Sequence, residues 1–391
     1  MDHRARRAPG MRGDRLMRIA IVLGPFHAPP PAGYGAVEKV WWQLAGEFAR
    51  AGHAVNVVAK DRGPGAPPPA FGVTPLAGAT ATGHIAIDLA KDFAYALRAA
   101  RALPESDVIV SNSFWLPVAL RRARARKARL VVHVGRFPKG QMRLYRNADL
   151  VHTVSTPVAD AIRAECPALA GRIAVLGYPV DVATFAAPAA GDEKRARELL
   201  YVGRIHPEKG LGLLVRAFRA AAARCPGATL AIVGPSEARA GGGGPGYLGA
   251  LQDEARGLPV TFEPPIPDES RLALRYRQAS AFCYPSLAER GETFGRSVLE
   301  AMAAGLPCIV SSLACFADFM DNEKEGLVFD HRGADAEARL AETIVRVLAD
   351  ATFASAASER ARSRAADYAL ERMAPRYLAM LEDAPARPAA A

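Results

Sequence analysis

Short apolar runs alternate with segments of helical period along nearly the whole chain, and this alternation limits the fold more than any other feature. Residues 17–23 (MRIAIVL) form an apolar run that stops at Gly24, and a loop of Gly, Pro and Ala follows to Ala36. From Val37 the apolar residues fall at Val37, Val40, Trp41, Leu44, Ala45 and Phe48, the spacing of one helix face. Gly52 then punctuates, and residues 54–59 (AVNVVA) give a second strand. A strand, a helix and a parallel strand make the repeating unit of a doubly wound sheet. Further strands are expected at 107–110, 130–134, 150–154 and 173–176. A second series is expected at 199–202, 229–233, 260–262, 281–284, 308–310 and 327–329.

The chain therefore reads as α/β, two doubly wound Rossmann-like domains facing each other across a cleft. Expected boundaries are a flexible Arg-rich leader (1–16), an acceptor-side domain (17–190), a nucleotide-side domain (196–365), a helix packing back on the first domain (366–383) and a disordered tail (384–391). Residues 186–197 lose the apolar pattern and read as the linker, and 241–246 (GGGGPG) read as too glycine-rich for either helix or strand. No apolar stretch approaches the roughly 20 residues of a spanning helix, and the leader lacks the apolar core of a signal peptide. An odd number of cysteines, five, without close pairing suits a reduced cytoplasmic protein without structural zinc.

The densest chemical signal is residues 285–307, PSLAERGETFGRSVLEAMAAGLP. Glu292 lies in the loop after a strand, a helix begins near Phe294 or Gly295, and Glu300 rides on its first turns. Between the carboxylates, the amides of Phe294, Gly295 and Arg296 form a helix N-terminus able to receive phosphate. A diphosphate flanked by hydroxyl-bearing groups would use all three parts, although a first-turn charge and a solvated helix residue would give the same spacing. The second signal is residues 200–210, LYVGRIHPEKG, with Arg204 and Lys209. Arginine far outnumbers lysine here, and beyond residue 196 lysine stands only at Lys209 and Lys324, so Lys209 is conspicuous. The pair could neutralise charge growing on a departing diphosphate, work that a metal does elsewhere. No Asp-X-Asp pair occurs in the chain.

These segments, with AIVGP at 231–235 and GYGAVEKVWWQLAGEFARAGHAVNVV at 33–58, resemble the retaining glycosyltransferases of family 4, which have the GT-B fold. The resemblance implies transfer of a sugar from a nucleoside diphosphate sugar, UDP-linked ahead of GDP-linked, to a glycan or lipid-linked saccharide, without a metal or other cofactor. It implies that Arg204 and Lys209 hold the donor diphosphate, Glu300 the ribose, and Glu292 the transferred sugar. Thr293, Phe294 and Gly295 would add donor contacts, with Gly33 and Gly35 approaching the phosphate from the other domain. His133, at the end of LVVHV, matches an active-site histidine of the family. The histidine that the family often has one strand earlier is replaced by Asn112 and Ser113, and its usual interdomain Asn-Gly by Tyr178 and Pro179. Asn112, Arg136, Lys139 and Gln141 are expected on the acceptor side. A nucleotide-sugar epimerase, a glycan phosphorylase or a non-catalytic sugar-nucleotide binder would use the same fold.

The net charge of +10 is not read as nucleic-acid binding, since the bias runs through the whole sequence. Residues 121–129 (RRARARKAR) nevertheless hold six cations without an acid. With the leader and Trp42, they suggest contact with an anionic membrane surface, against the plainer reading of a solvated helix face.

Overall fold

The computed structural model describes residues 16–30, 35–121, 128–187, 193 and 195–384. The first sheet contains β1 (Arg18–Val22), β2 (Ala54–Lys60), β3 (Gly72–Leu76), β4 (Val108–Ser111), β5 (Arg129–Val134), β6 (Leu150–Thr153) and β7 (Ile173–Val175). The second contains β8 (Glu198–Val202), β9 (Thr229–Val233), β10 (Val260–Glu263), β11 (Ala281–Tyr284), β12 (Cys308–Ser311) and β13 (Gly326–Phe329). Their orders are β3-β2-β1-β4-β5-β6-β7 and β10-β9-β8-β11-β12-β13, and every ladder is parallel. Each chain order reverses beside the first strand of its sheet, between β1 and β4 and between β8 and β11. In open α/β sheets ligands bind at that point, beyond the carboxyl ends of the strands.

The apolar runs are continuous because parallel strands are covered on both faces. In β1, Ile19 and Ile21 face the core shared with the second domain, while Ala20 and Val22 face a separate core under the first. Helix Ala36–Arg50 buries Val40, Trp41, Leu44, Ala45 and Phe48, the spacing read from sequence. Each large side chain among them contributes about 1.5–3 kcal/mol by leaving water. Helix Leu370–Asp383 returns to the first domain: Tyr377 meets Trp41 edge-on at 5.6 Å and its hydroxyl donates to the Gly177 carbonyl. Pro375 lies within that helix.

Two expectations change. Strand β3, with Pro75 in it, had no clear alternation and was not foreseen; its place at the sheet edge leaves proline tolerable. The glycine run 241–246 is built into the fold, since helix Gly244–Glu254 starts inside it and the amides of Gly243 and Gly244 donate to Ile205 and Ser236. The leader through residue 15, most of the linker, residues 122–127 and the tail from 385 lie outside the described residues. All five cysteines are free and buried.

Candidate active site

The carboxyl ends of the two sheets meet along an interdomain seam, and the second sheet brings charge to it. After β8 the chain turns through Arg204 into a short 3-10 turn, Pro207–Lys209, and then into helix Leu211–Arg224. Gly210 between them has φ 70°, and a Cβ there would stand 2.1 Å from the Pro285 carbonyl oxygen, so only glycine lets these two loops touch. That contact delivers Lys209 to the other segment. Its Nζ lies 2.7 Å from Glu292 Oε2 and 5.5 Å from the Tyr284 ring centre, and both partners of the ion pair are buried. Arg204 is held by Glu208 and by the Gly241 carbonyl.

Glu292 precedes helix Arg296–Ala303, whose N-cap is Gly295 at φ 80°. A Cβ on Gly295 would meet the Phe316 ring at 2.4 Å, which fixes glycine where the chain swings from loop to helix. The first amides of a helix lack internal acceptors, so this turn offers donors toward the seam. Glu300, one turn in, is buried; Tyr276 donates to its Oε2 at 3.2 Å and Arg296 Nε stands 3.1 Å from its Oε1. Burial pushes its carboxyl pKa up, against the pull of Arg296. The expected donor residues Arg204, Lys209, Glu292 and Glu300 are thus brought to one region. Thr293 and Phe294 turn their side chains away from the donor side, which leaves the amide expected of Phe294 in place. Thr293 donates across the seam to the Gly135 carbonyl at 3.1 Å, and the Phe294 ring is buried against Tyr178, Phe319 and Tyr368. Their side chains join the domains, leaving backbone amides as what they can offer a ligand.

The first sheet presents a neutral surface instead. His133 is buried, with Nδ1 2.9 Å from His152 Nδ1 and Nε2 3.0 Å from the Tyr178 hydroxyl. His152 Nε2 lies 3.0 Å from the Leu176 carbonyl, which can only accept, so His152 carries its proton there. Its Nδ1 must then accept from His133, whose Nε2 in turn accepts from Tyr178. One carbonyl fixes every proton in the line. Burial drives both histidines to the neutral form, His152 down to about 4 and His133 well below its usual value, the latter helped by its neighbour. The expectation that His133 reaches substrate is therefore corrected in one respect: both of its ring nitrogens are already engaged, one by His152 and the other by the Tyr178 hydroxyl.

Other acceptor-side expectations divide. Asn112, at the switch point of the first sheet, has its side-chain oxygen buried without a hydrogen-bond partner, an acceptor a ligand hydroxyl could fill. Arg136 and Lys139 have exposed side chains, whereas Gln141 closes its own loop by accepting from the Lys139 amide. Gly35 has φ 123° and caps helix Ala36–Arg50; Gly33 lies outside the described residues. His152 was missed in the sequence because its partner is set by register: β5 and β6 place it directly beside His133. The Lys39–Glu269 pair was missed for the same kind of reason; the Arg296–Glu300 pair, four positions apart on one helix, lay within reach of the sequence. A cavity of about 480 Å³ lined by Ser280, Pro307, Ser358, Glu359 and Arg362 opens at the starts of β11 and β12, the opposite end from this chemistry.

Two family models match the chain: glycosyl transferases group 1 over residues 196–350, and a glycosyl transferase 4-like domain over 35–179. It is similar to the D-inositol 3-phosphate glycosyltransferase of Salinispora arenicola, 27% identical over 93% of this chain and 90% of that protein. The protein of the same name from Mycobacteroides abscessus is 33% identical over 57% of this chain, and that match spans 50% of the relative's length. Among solved structures, Anabaena HepE in complex with UDP and glucose has a TM-score of 0.70 at 17% identity, covering 94% of this chain and 99% of that one, a likeness of fold.

Proposed function

Because the chain belongs to the family 4 glycosyltransferases of GT-B fold, we propose that it moves a sugar from a nucleoside diphosphate sugar to a glycan or lipid-linked saccharide acceptor, with retention at the anomeric carbon and without a metal. The observation that carries this reading is the buried Lys209–Glu292 pair, followed in the chain by a helix N-terminus that carries Glu300 one turn in. A cation, helix-start amides and two carboxylates are the groups that a diphosphate joined to a sugar and a ribose would use.

The bond from the anomeric carbon to the diphosphate oxygen breaks, and one to the acceptor oxygen forms on the same face. The acceptor proton passes to the leaving diphosphate. Lys209 and Arg204 stabilise the charge that collects on that group, and Glu292 both keeps the lysine in place and accepts from the sugar. Tyr178, held by His133, and the buried, unpartnered oxygen of Asn112 lie on the acceptor side. UDP is the favoured nucleotide, in keeping with the UDP named for the HepE complex.

The experiment is incubation with UDP-, GDP- and ADP-sugars and a panel of saccharide acceptors, read by mass spectrometry and by NMR of the new linkage. A hexose-sized mass gain with the donor's anomeric configuration is expected. An unchanged acceptor with a new isomer of the donor would assign an epimerase instead, and an inverted linkage would overturn retention.

We also propose that the first domain meets an anionic membrane. No helix among the described residues is long and apolar enough to cross one. Residues 122–127 of the basic run lie outside the described residues, and Arg129 at its end is spent on the Glu382 and Ala384 carbonyls. Trp42 is packed on Phe71 under Arg62. The reading therefore rests on Arg121 to Lys127 and the leader. Co-sedimentation with anionic but not neutral vesicles, lost in 1 M salt, where the Debye length is about 3 Å, is the expected result. Equal recovery in the supernatant with both would end it.

A further inference from the structure

A line of alternating charge crosses the seam beside Glu300. Lys39 stands in the first turn of helix Ala36–Arg50, directly after the glycine loop of the first domain, and Glu269 begins helix Glu269–Gln278 of the second. Lys39 Nζ is 2.6 Å from Glu269 Oε1, with about three-quarters of each side chain covered. The same oxygen is 3.8 Å from Arg296 Nη2, and Arg296 Nε is 3.1 Å from Glu300 Oε1. Two cations and two carboxylates thus run from the first domain to the floor of the donor site.

The quality of these contacts matters as much as their length. Arg296 Nε and Nη2 and Glu269 Oε1 are buried but make no aligned hydrogen bond. The line is held by charge rather than by completed hydrogen bonds, so it can shift when a ligand takes part of it. Of the other contacts across the seam, Thr293 to Gly135 and Phe294 to Tyr178 are neutral, and that of the Thr156 amide to Asp318 Oδ2, 2.7 Å, sets a carboxylate against a backbone amide rather than an opposite ion.

We propose that Lys39 is a positioning residue that shuts the cleft on the donor: it pairs with Glu269 across the seam and, through Arg296, couples closure to occupation of Glu300. The coupling to Glu300 rests on the donor-site reading above; the Lys39–Glu269 latch does not. Ribose hydroxyls donating to Glu300 release Arg296 from part of its pairing there and leave it free to draw Glu269, and with it Lys39, toward the donor. The open and closed populations then shift by the free energy of the pair, about fivefold for a partly covered ion pair.

The test is a double-mutant cycle read by small-angle X-ray scattering, following compaction of the full chain as UDP is added. Lys39→Ala and Glu269→Ala should each raise the UDP concentration for half compaction about fivefold, and the double variant should be no worse than either single. Lys39→Arg, which keeps the charge, should behave as wild type. Donor KM should rise in the two single variants with kcat nearly unchanged, a split that loss of packing would not produce. Effects that multiply in the double variant, or compaction unchanged in all of them, would overturn the latch. So would a wild-type chain that binds UDP or GDP without compacting, whereas a chain that binds neither nucleotide overturns the donor reading and the proposal with it. Glu300→Ala separates the two claims: unchanged UDP affinity in that variant sinks the ribose assignment, while the cycle still judges Lys39 and Glu269.

Discussion

The two walls of the cleft have the same topology and opposite chemistry. On β5, on β6 and just after β7 the first sheet places two imidazoles and a phenol whose hydrogen bonds are all made internally, and burial keeps them neutral. Beyond β8 and β11 the second sheet places Arg204, Lys209, Arg296, Glu292 and Glu300, paired ion to ion. A saturated neutral line gives nothing up to a passing anion, since each proton on it is already committed. Ion pairs between flexible side chains can re-partner, because an incoming diphosphate competes for the cation with like charge. The doubly wound fold supplies two equivalent places for a ligand, and side-chain chemistry decides that one wall grips the charged donor while the other shapes the space opposite.

The comparison breaks most visibly at Lys209. Replacing it by Ala should lower kcat by about a hundredfold or more, the usual cost of removing a charge-stabilising donor. Because Glu292 would be left buried without its partner, the same change should also destabilise the fold, by about 3–5 kcal/mol. Lys209→Ala combined with Glu292→Gln removes the stranded charge, so it should recover stability and stay inactive. Activity that returns together with stability would move catalysis off this wall. A smaller loss is expected for Glu300→Gln. Hydrogen bonds to a charged acceptor are worth about 1.5–3 kcal/mol, so donor KM should rise about tenfold or more with acceptor KM unchanged. Titration with the free nucleoside diphosphate measures the same loss without turnover.

Much of this is legible in the sequence, and the limit has one cause. Spacing inside a segment survives in sequence: Gly295 before Arg296, Glu292 eight positions before Glu300, and the face of Val40, Trp41 and Leu44 needed only local periodicity. Meetings between segments do not survive there. His152 reads as an ordinary strand residue until β6 is laid in register on β5. Lys39 and Glu269 are far apart in sequence and look like solvated helix-start charges until the domains face each other. Thr293 and Phe294 belong to the right motif, but whether their side chains face ligand or the opposite domain depends on Gly135 and Tyr178. The glycine run 241–246 misled for a related reason: composition argues for flexibility, whereas acceptors at Ile205 and Ser236 pin its backbone.

The finest test of the comparison is the pH dependence of stability, where the two walls act with opposite sign. His152 has an ordinary value of 6.5 that burial lowers to about 4 in the folded protein, and His133 moves the same way. Between those values the unfolded chain binds more protons than the folded one. The stabilisation is therefore full above about 6.5 and is lost as pH falls toward 4, of order 3 kcal/mol for His152 alone. Glu300 is shifted up from 4.5, so the folded state holds its proton longer than the unfolded chain does. That contribution is present below about 4.5 and is lost as pH rises, partly cancelling the histidines within the same window. Melting temperatures between pH 4 and 7 should rise with pH in the wild type. They should rise more steeply in Glu300→Gln, which removes the opposing group, and less steeply in His152→Gln, which still donates to Leu176 but cannot titrate. Parallel curves for all three would mean that neither wall holds its groups in the charge states assigned to them. A steeper curve in His152→Gln alone would mean that folding raises the His152 pKa instead of lowering it.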